Sequence, residues 1–349
     1  FFIGPFYQLM QLGRADLFVF DFALILKIMM PIIVFLYFRS IFKFHPDFAA
    51  KSVEKILWSG FFILTVNFII GALGFGKSTY QLGEEDGAGS TGLILAGNEL
   101  GGAFLVTFGF ALHKVWNTQG LTKYILLSLF TVMCGVSVAT KTTMLASILI
   151  VFLIPIANER ERLYFLTRLK AIIFLPLISI GVTIVILIVD ILEQIGLYDR
   201  IMWFYQQRGL VGILLSGRDD MAEDRAEVVL NKSSLFEQLF GQGQALGLKD
   251  VKGYVGVEID GIDLFNLYGV HTLTIVASFY IWGVYKSHKQ TLRNESDIAP
   301  YVFTISFFLM CLYQLSGHIW TSGTIGILLG AMLSLIYKNS SLYYRNINK

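Results

Sequence analysis

The feature that most limits what this chain can become is a series of apolar runs, near residues 17–38, 56–74, 91–113, 124–140, 142–157, 171–192, 263–284, 301–317 and 321–337. About 20 apolar residues in a helix cross a hydrocarbon core roughly 30 Å thick. Within that core each backbone N–H and C=O needs a partner inside the segment. The runs also lack the two-residue alternation of a membrane barrel strand, so helices are expected. With 55% hydrophobic residues and 15% charged, the composition excludes an ordinary soluble domain. The expected fold is all-α, a polytopic transmembrane bundle with nine visible spans and one large extracytoplasmic loop.

Lys and Arg in short loops are retained on the cytoplasmic side and set the orientation. Arg39, Lys43, Lys51 and Lys55 fall on one side, with Lys114, Lys123, Arg160, Arg162, Arg168, Lys170, Lys286, Lys289, Arg293, Lys338, Arg345 and Lys349. The opposite side carries the acidic run Glu84, Glu85, Asp86 and the segment 193–262. This predicts a multi-pass membrane protein with its C-terminus inside and its working face toward a periplasm or cell exterior. Nine spans put Phe1 outside, so further N-terminal helices, or a cleaved signal, are expected before it. Cys134 and Cys311 fall inside expected spans, where a thiol acts as a small hydrophobe. The net charge of +2 and the lack of a basic patch argue against a nucleic-acid partner.

The expected organisation is 1–192 as the first six spans, 193–262 as the loop and 263–349 as the last three spans with a cytoplasmic tail. The loop holds 18 of the chain's Asp, Glu, Lys and Arg residues, about a third of them in a fifth of the length, so chemistry is sought there. Its apolar clusters, Ile201 to Tyr205 and Leu210 to Leu215, suggest interfacial or re-entrant helices.

Residues 71–78 read GALGFGKS and match the phosphate-cradling pattern G-x-x-x-x-G-K-[ST]. That pattern needs a strand before it and a helix after it. Here it ends an expected span on the outer face, so nucleotide binding is not expected and Lys77 is read as a solvated loop cation.

Ionisable side chains at bilayer depth cost roughly 2.5–3.5 kcal/mol on insertion scales and so face the bundle interior or a cavity. Asn98 and Glu99 lie in AGNELGG, where Gly97 and Gly101 allow close helix approach. They are candidates for substrate binding or for tying helices together. Lys141, in VATKTTM, sits in a short turn flanked by the capping residues Thr140 and Thr142, and is a candidate for a substrate phosphate or a snorkelling cation.

His318, in LSGHIWTSG, stands before a final helix bearing Gly323, Gly326 and Gly330 and is the sharpest candidate for a base. His271 is expected to be a bundle contact, and His45, His113 and His288 to be solvated. Arg208, Arg218 and Arg225 fall within 18 loop residues. Guanidinium groups grip phosphate oxygens in pairs, which suggests a diphosphate ligand. For Arg225 a salt-bridged surface helix is the preferred reading, and for Arg218 the ligand. Trp203, Phe204, Tyr205 and Trp320 are candidates for stacking on sugars or anchoring the interface. No His, Cys, Asp and Glu set has metal-ligand spacing, and no cofactor is expected.

The order AGNELGG, TKTT, SGRD, LFGQG, VEIDGIDLFNLYG and an outward His before the last helix resembles the O-antigen polymerase and ligase superfamily, over roughly residues 70–330. The resemblance implies a GT-C-like, metal-independent membrane glycosyltransferase. Such enzymes move a glycan from undecaprenyl diphosphate to the sugar hydroxyl of another repeat unit in polymerases, or to lipid A–core in ligases. It implies as partners the lipid-linked donor, the acceptor glycan, membrane lipids, a chain-length regulator and a flippase.

Carried over, Arg218 matches the loop Arg that holds the diphosphate, and His318 the His that activates the acceptor. Lys141 stands where the family usually has Arg. Ile319 and the later glycine spacing depart from the ligase pattern, so a polymerase is favoured. On this reading Lys141, Arg218 and Arg208 hold the diphosphate and His318 is the base, with inversion at the anomeric carbon. Glu258 is the second choice of base, and Glu258 and Asp260 are candidates to orient the acceptor or pair with the cations. A transporter or flippase for a lipid-linked or anionic substrate is the reading from another class; polar candidates at one face, with no internal repeat, weigh against it.

Overall fold

The computed structural model describes residues 1–81, 87–94, 97–159, 193, 198–215, 217–249 and 256–338. Helix dominates, and helices stand at every expected span that falls on described residues. The span at 171–192 and the acidic run 84–86 lie outside them. Among the described residues, five helices are long and apolar enough to cross a bilayer: α2 (Ala15–Phe44), α3 (Pro46–Ala72), α5 (Leu121–Val138), α6 (Lys141–Asn158) and α10 (Asp260–Leu292). The chain is a helical membrane-embedded protein.

The remaining helices are α1 (Ile3–Leu12), α4 (Gly97–Thr118), α7 (Tyr198–Leu215), α8 (Arg218–Lys232), α9 (Leu235–Phe240), α11 (Ala299–Ser316) and α12 (Gly323–Ser334). Two compact units divide the chain, Phe1–Val53 with Leu214–Lys349, and Glu54–Ile213. The division falls within the segment 193–262, between Ile213 and Leu214.

In the first unit α12 lies along α2. Gly323, Gly326 and Gly330 recur at helical spacing and face Lys27, Met30 with Pro31, and Val34 with Phe35. A Cβ at Gly330 would collide with the Pro31 carbonyl, so this contact admits no larger residue. Small residues at one face are what allows backbones to approach in hydrocarbon. Gln290 fastens the far end of α10 by donating to the Ile336 carbonyl at 2.7 Å.

Helix α10 breaks at Gly269, whose φ of 75° lies in the left-handed region. The break leaves the Leu267 carbonyl open to a partner outside the helix, and the Gln242 amide takes it at 3.0 Å. Gly241 and Gly269 sit against each other's neighbouring backbone, so LFGQG docks into the interruption. The short 3₁₀ turn Gly243–Leu248 then reaches α2, where the buried Asp21 carboxylate accepts from the Gln244 amide at 3.0 Å and the Tyr268 hydroxyl at 3.0 Å. Helix α9 is started by a capping box between Ser234 and Glu237. Burial pushes Glu237 up, but hydrogen bonds from Lys249 and Ser234 outweigh it and hold the carboxyl below its ordinary value.

In the second unit α4 is buried from Leu100 to Leu112, and Phe61 and Phe68 of α3 pack on its Phe104 and Phe108. Gly101 lies on the Thr143 side chain and Gly135 on Ser147, so α4 and α5 both close tightly on α6. A two-stranded antiparallel hairpin, Lys77–Gln81 with Gly87–Gly92, departs from the all-α expectation. Helix α4 accordingly starts at Gly97 instead of near residue 91. Glycines at positive φ (Gly74, Gly76, Gly89, Gly92) stop the helix, and threonines suit a strand. Asn67 fastens the hairpin by donating to the Thr91 carbonyl and accepting from the Leu93 amide, and the Thr79 hydroxyl donates to the Val138 carbonyl. GALGFGKS therefore follows a helix and enters a strand, the reverse of a nucleotide cradle.

Candidate active site

Three side chains of the first unit form a string. Arg218 is the first residue of α8, after Gly217 in the left-handed conformation. Its Nη2 lies 2.6 Å and its Nε 3.2 Å from Oε2 of Glu258. The second carboxylate oxygen, Oε1, stands 4.0 Å from Nε2 of His318. The Arg218 side chain is 18% exposed, Glu258 40% and His318 33%, so the string opens on one side.

Both Glu258 and His318 are left-handed, with φ of 61° and 58°. For residues with a Cβ such a conformation costs about 1–3 kcal/mol and persists only where the surroundings impose it. Two aspartates at the start of α10 do so. Asp263 accepts from the amides of Val257 at 2.6 Å and Glu258 at 3.0 Å. Asp260 accepts from the amides of Ile319 at 2.7 Å and Trp320 at 2.9 Å, and from the Thr321 hydroxyl at 3.3 Å. Gly317 presses on the Glu258 backbone, leaving no room for a Cβ. Trp320 stacks on Tyr280 at 5.0 Å with the rings within 7° of parallel.

The expected site residues divide between the units. Arg218, Glu258 and His318 meet as described. Asp260 is fully enclosed, with both oxygens engaged by the 319–321 segment, so orienting an acceptor by direct contact is not open to it. Trp320, 4% exposed against Tyr280, is likewise removed from sugar stacking. Lys141, Arg208, Asn98 and Glu99 belong to the second unit. Lys141 opens α6 behind the capping residue Thr140, with its Nζ 4.9 Å from the Phe204 ring centroid. Arg208 is exposed at a break in α7, where Gly209 is left-handed. Asn98 and Glu99 lie in the first turn of α4, and Glu99 is half-buried.

Arg225 is 4% exposed, on the face of α8 that also buries Val229, whereas Asp220, Glu223, Asp224 and Glu227 of that helix are exposed. One expectation is corrected. His113 is 2% exposed, with Nδ1 3.3 Å from Nδ2 of Asn117. His45 and His288 are exposed as expected, and His271 lies against Phe240.

Asp263, Gly317 and Thr321 escaped notice in the sequence. The signal for the first was the repeat of Asp three residues apart in VEIDGID, which sets both carboxylates on one helix face.

Chemically the string joins a cation suited to a phosphate, an acceptor-only carboxylate and an imidazole that can take up a proton. Among the described residues no group of His, Cys, Asp and Glu could hold a metal ion. In comparisons with known proteins the chain matches no family model, no curated protein and no solved structure.

Proposed function

We propose that this protein is a membrane glycosyltransferase that polymerises lipid-linked oligosaccharide repeat units on the outer face of a bacterial inner membrane. The observation that carries the reading is the Arg218–Glu258–His318 string, open on one side. A partly exposed ion pair is worth only about 0–1 kcal/mol. A diphosphate, with more charge and paired oxygens, is therefore able to take Arg218 from Glu258.

In the reaction an acceptor hydroxyl gives its proton to Nε2 of His318 as its oxygen bonds to the anomeric carbon of the donor glycan. The bond from that carbon to the phosphate oxygen breaks, and its electron pair leaves with undecaprenyl diphosphate, whose charge Arg218 balances. The displaced Glu258 lies beside His318 and stabilises the imidazolium. The departing diphosphate is activation enough, so neither metal nor cofactor is invoked. Lys141, Arg208, Asn98 and Glu99 belong to the second unit and carry no part of this reading. Departures at Ile319 and Lys141 favour polymerase over ligase. The broken helix α10 is a trait shared with transporters. Here, though, its Leu267 carbonyl is taken by Gln242 and not offered to an ion.

Arg218→Ala should raise the donor KM roughly 10–100-fold, the loss of a charge-assisted bond of about 1.5–3 kcal/mol. Arg218→Lys, which keeps the charge without the fork, should fall between. A donor KM unchanged in Arg218→Ala would remove the diphosphate assignment.

A further inference from the structure

Glu258 and His318 share an improbable backbone conformation, and each is held by one carboxylate from the same helical turn. Asp263 takes two consecutive amides of the Glu258 loop, Val257 and Glu258. Asp260 takes two consecutive amides just past His318, and the Thr321 hydroxyl as well. Residues three apart on a helix lie on one face, so a single rigid turn grips both loops. Gly317 packed on the Glu258 backbone closes the space between them. Thr321 links Asp260 to the imidazole, since its Oγ1 also lies 3.5 Å from Nδ1 of His318.

We propose that Asp260 is a positioning residue, with Asp263 as its counterpart: the pair staples two loops so that Glu258 and His318 face one another across the opening beside Arg218. The proposal rests on His318 being the base. Asp260, with no exposed surface, reaches neither donor nor acceptor and acts only through the 319–321 segment. What it supplies is hydrogen-bond acceptance more than charge. The amide of an Asp260→Asn side chain can still accept from Ile319 and Trp320 through its oxygen. Its NH₂ can donate to Thr321, whose hydroxyl serves either way. An alanine can do none of this.

The test compares Asp260→Ala, Asp260→Asn, His318→Ala and the double variant Asp260→Ala/His318→Ala in the full-length protein, with a lipid-diphosphate-linked repeat unit as substrate. Asp260→Ala should lower kcat about 100-fold and leave the donor KM within about twofold, because Arg218 stands on α8, outside the two stapled loops. Asp260→Asn should recover kcat to within about tenfold of the parent, and the double variant should be no slower than His318→Ala alone. A structural defect would raise KM and lower kcat together and would not be rescued by Asn. The idea is overturned if Asp260→Ala keeps its kcat, if Asn rescues nothing, or if the two single losses multiply in the double variant.

A second readout needs no turnover. The ring ¹⁵N shifts of His318 should move in Asp260→Ala and return in Asp260→Asn. If His318→Ala remains fully active the base assignment falls, and these shifts still decide whether Asp260 sets the histidine; unchanged shifts in Asp260→Ala would reject the staple.

Discussion

The balance at the site turns on Glu258, which meets Arg218 through one oxygen and faces His318 through the other. If it competes with the donor and then supports the imidazolium, its two jobs separate on substitution. Glu258→Gln removes the charge that holds Arg218. Donor KM should then fall about 2–5-fold, the scale of a partly exposed ion pair, while kcat falls about tenfold as His318 loses its neighbour. Steady-state kinetics at several donor concentrations reads both, and a KM that rises would contradict the competition. The sequence singled out Arg218, Glu258 and His318 one by one, but their meeting, across 40 and 60 residues, is visible only in the structure. Asp260 was legible as a residue but not as a part. Whether a carboxylate turns toward a ligand or toward loop amides depends on a segment about 60 residues away, which no local pattern reveals.

At the level of elements, span-length apolar runs told where helices form, since hydrocarbon leaves the backbone little else to do. The hairpin at 77–92 was not legible. Its stability comes from Asn67 and from the Val138 carbonyl, both distant in sequence, and not from strand alternation. Nor was the docking of LFGQG into the break of α10, although both glycines were in view. Gly241, at φ 81°, sits where a Cβ would overlap Tyr268 and the Leu267 carbonyl, the acceptor for Gln242. Gly241→Ala should therefore lower the unfolding temperature in detergent by several degrees, as expected of strained substitutions costing about 1–3 kcal/mol. An unshifted unfolding curve would show that the contact is not needed to hold the break.

For the whole molecule, composition indicated a membrane protein, and the loop's charge density pointed to a site. The compact units then divide that loop: its stretch from Arg218 to Asp260 belongs with α2, α10 and α12, and Tyr198 to Ile213 with α3 to α6. Arg218 and His318, the diphosphate holder and base of the proposed reaction, both belong to the first unit, while Lys141 and Arg208 belong to the second. The central claim is that this chain joins sugars with its own side chains and a lipid diphosphate leaving group. It is tested most directly by incubating the purified protein with a lipid-linked repeat unit, without ATP or an ion gradient, and resolving the products by size. The account predicts a ladder of lengthened glycans from the parent protein and its loss, by about 10²–10⁴ in rate, in correctly inserted His318→Ala. No ladder from the parent together with movement of the substrate across vesicles, or an undiminished ladder from His318→Ala, would contradict it.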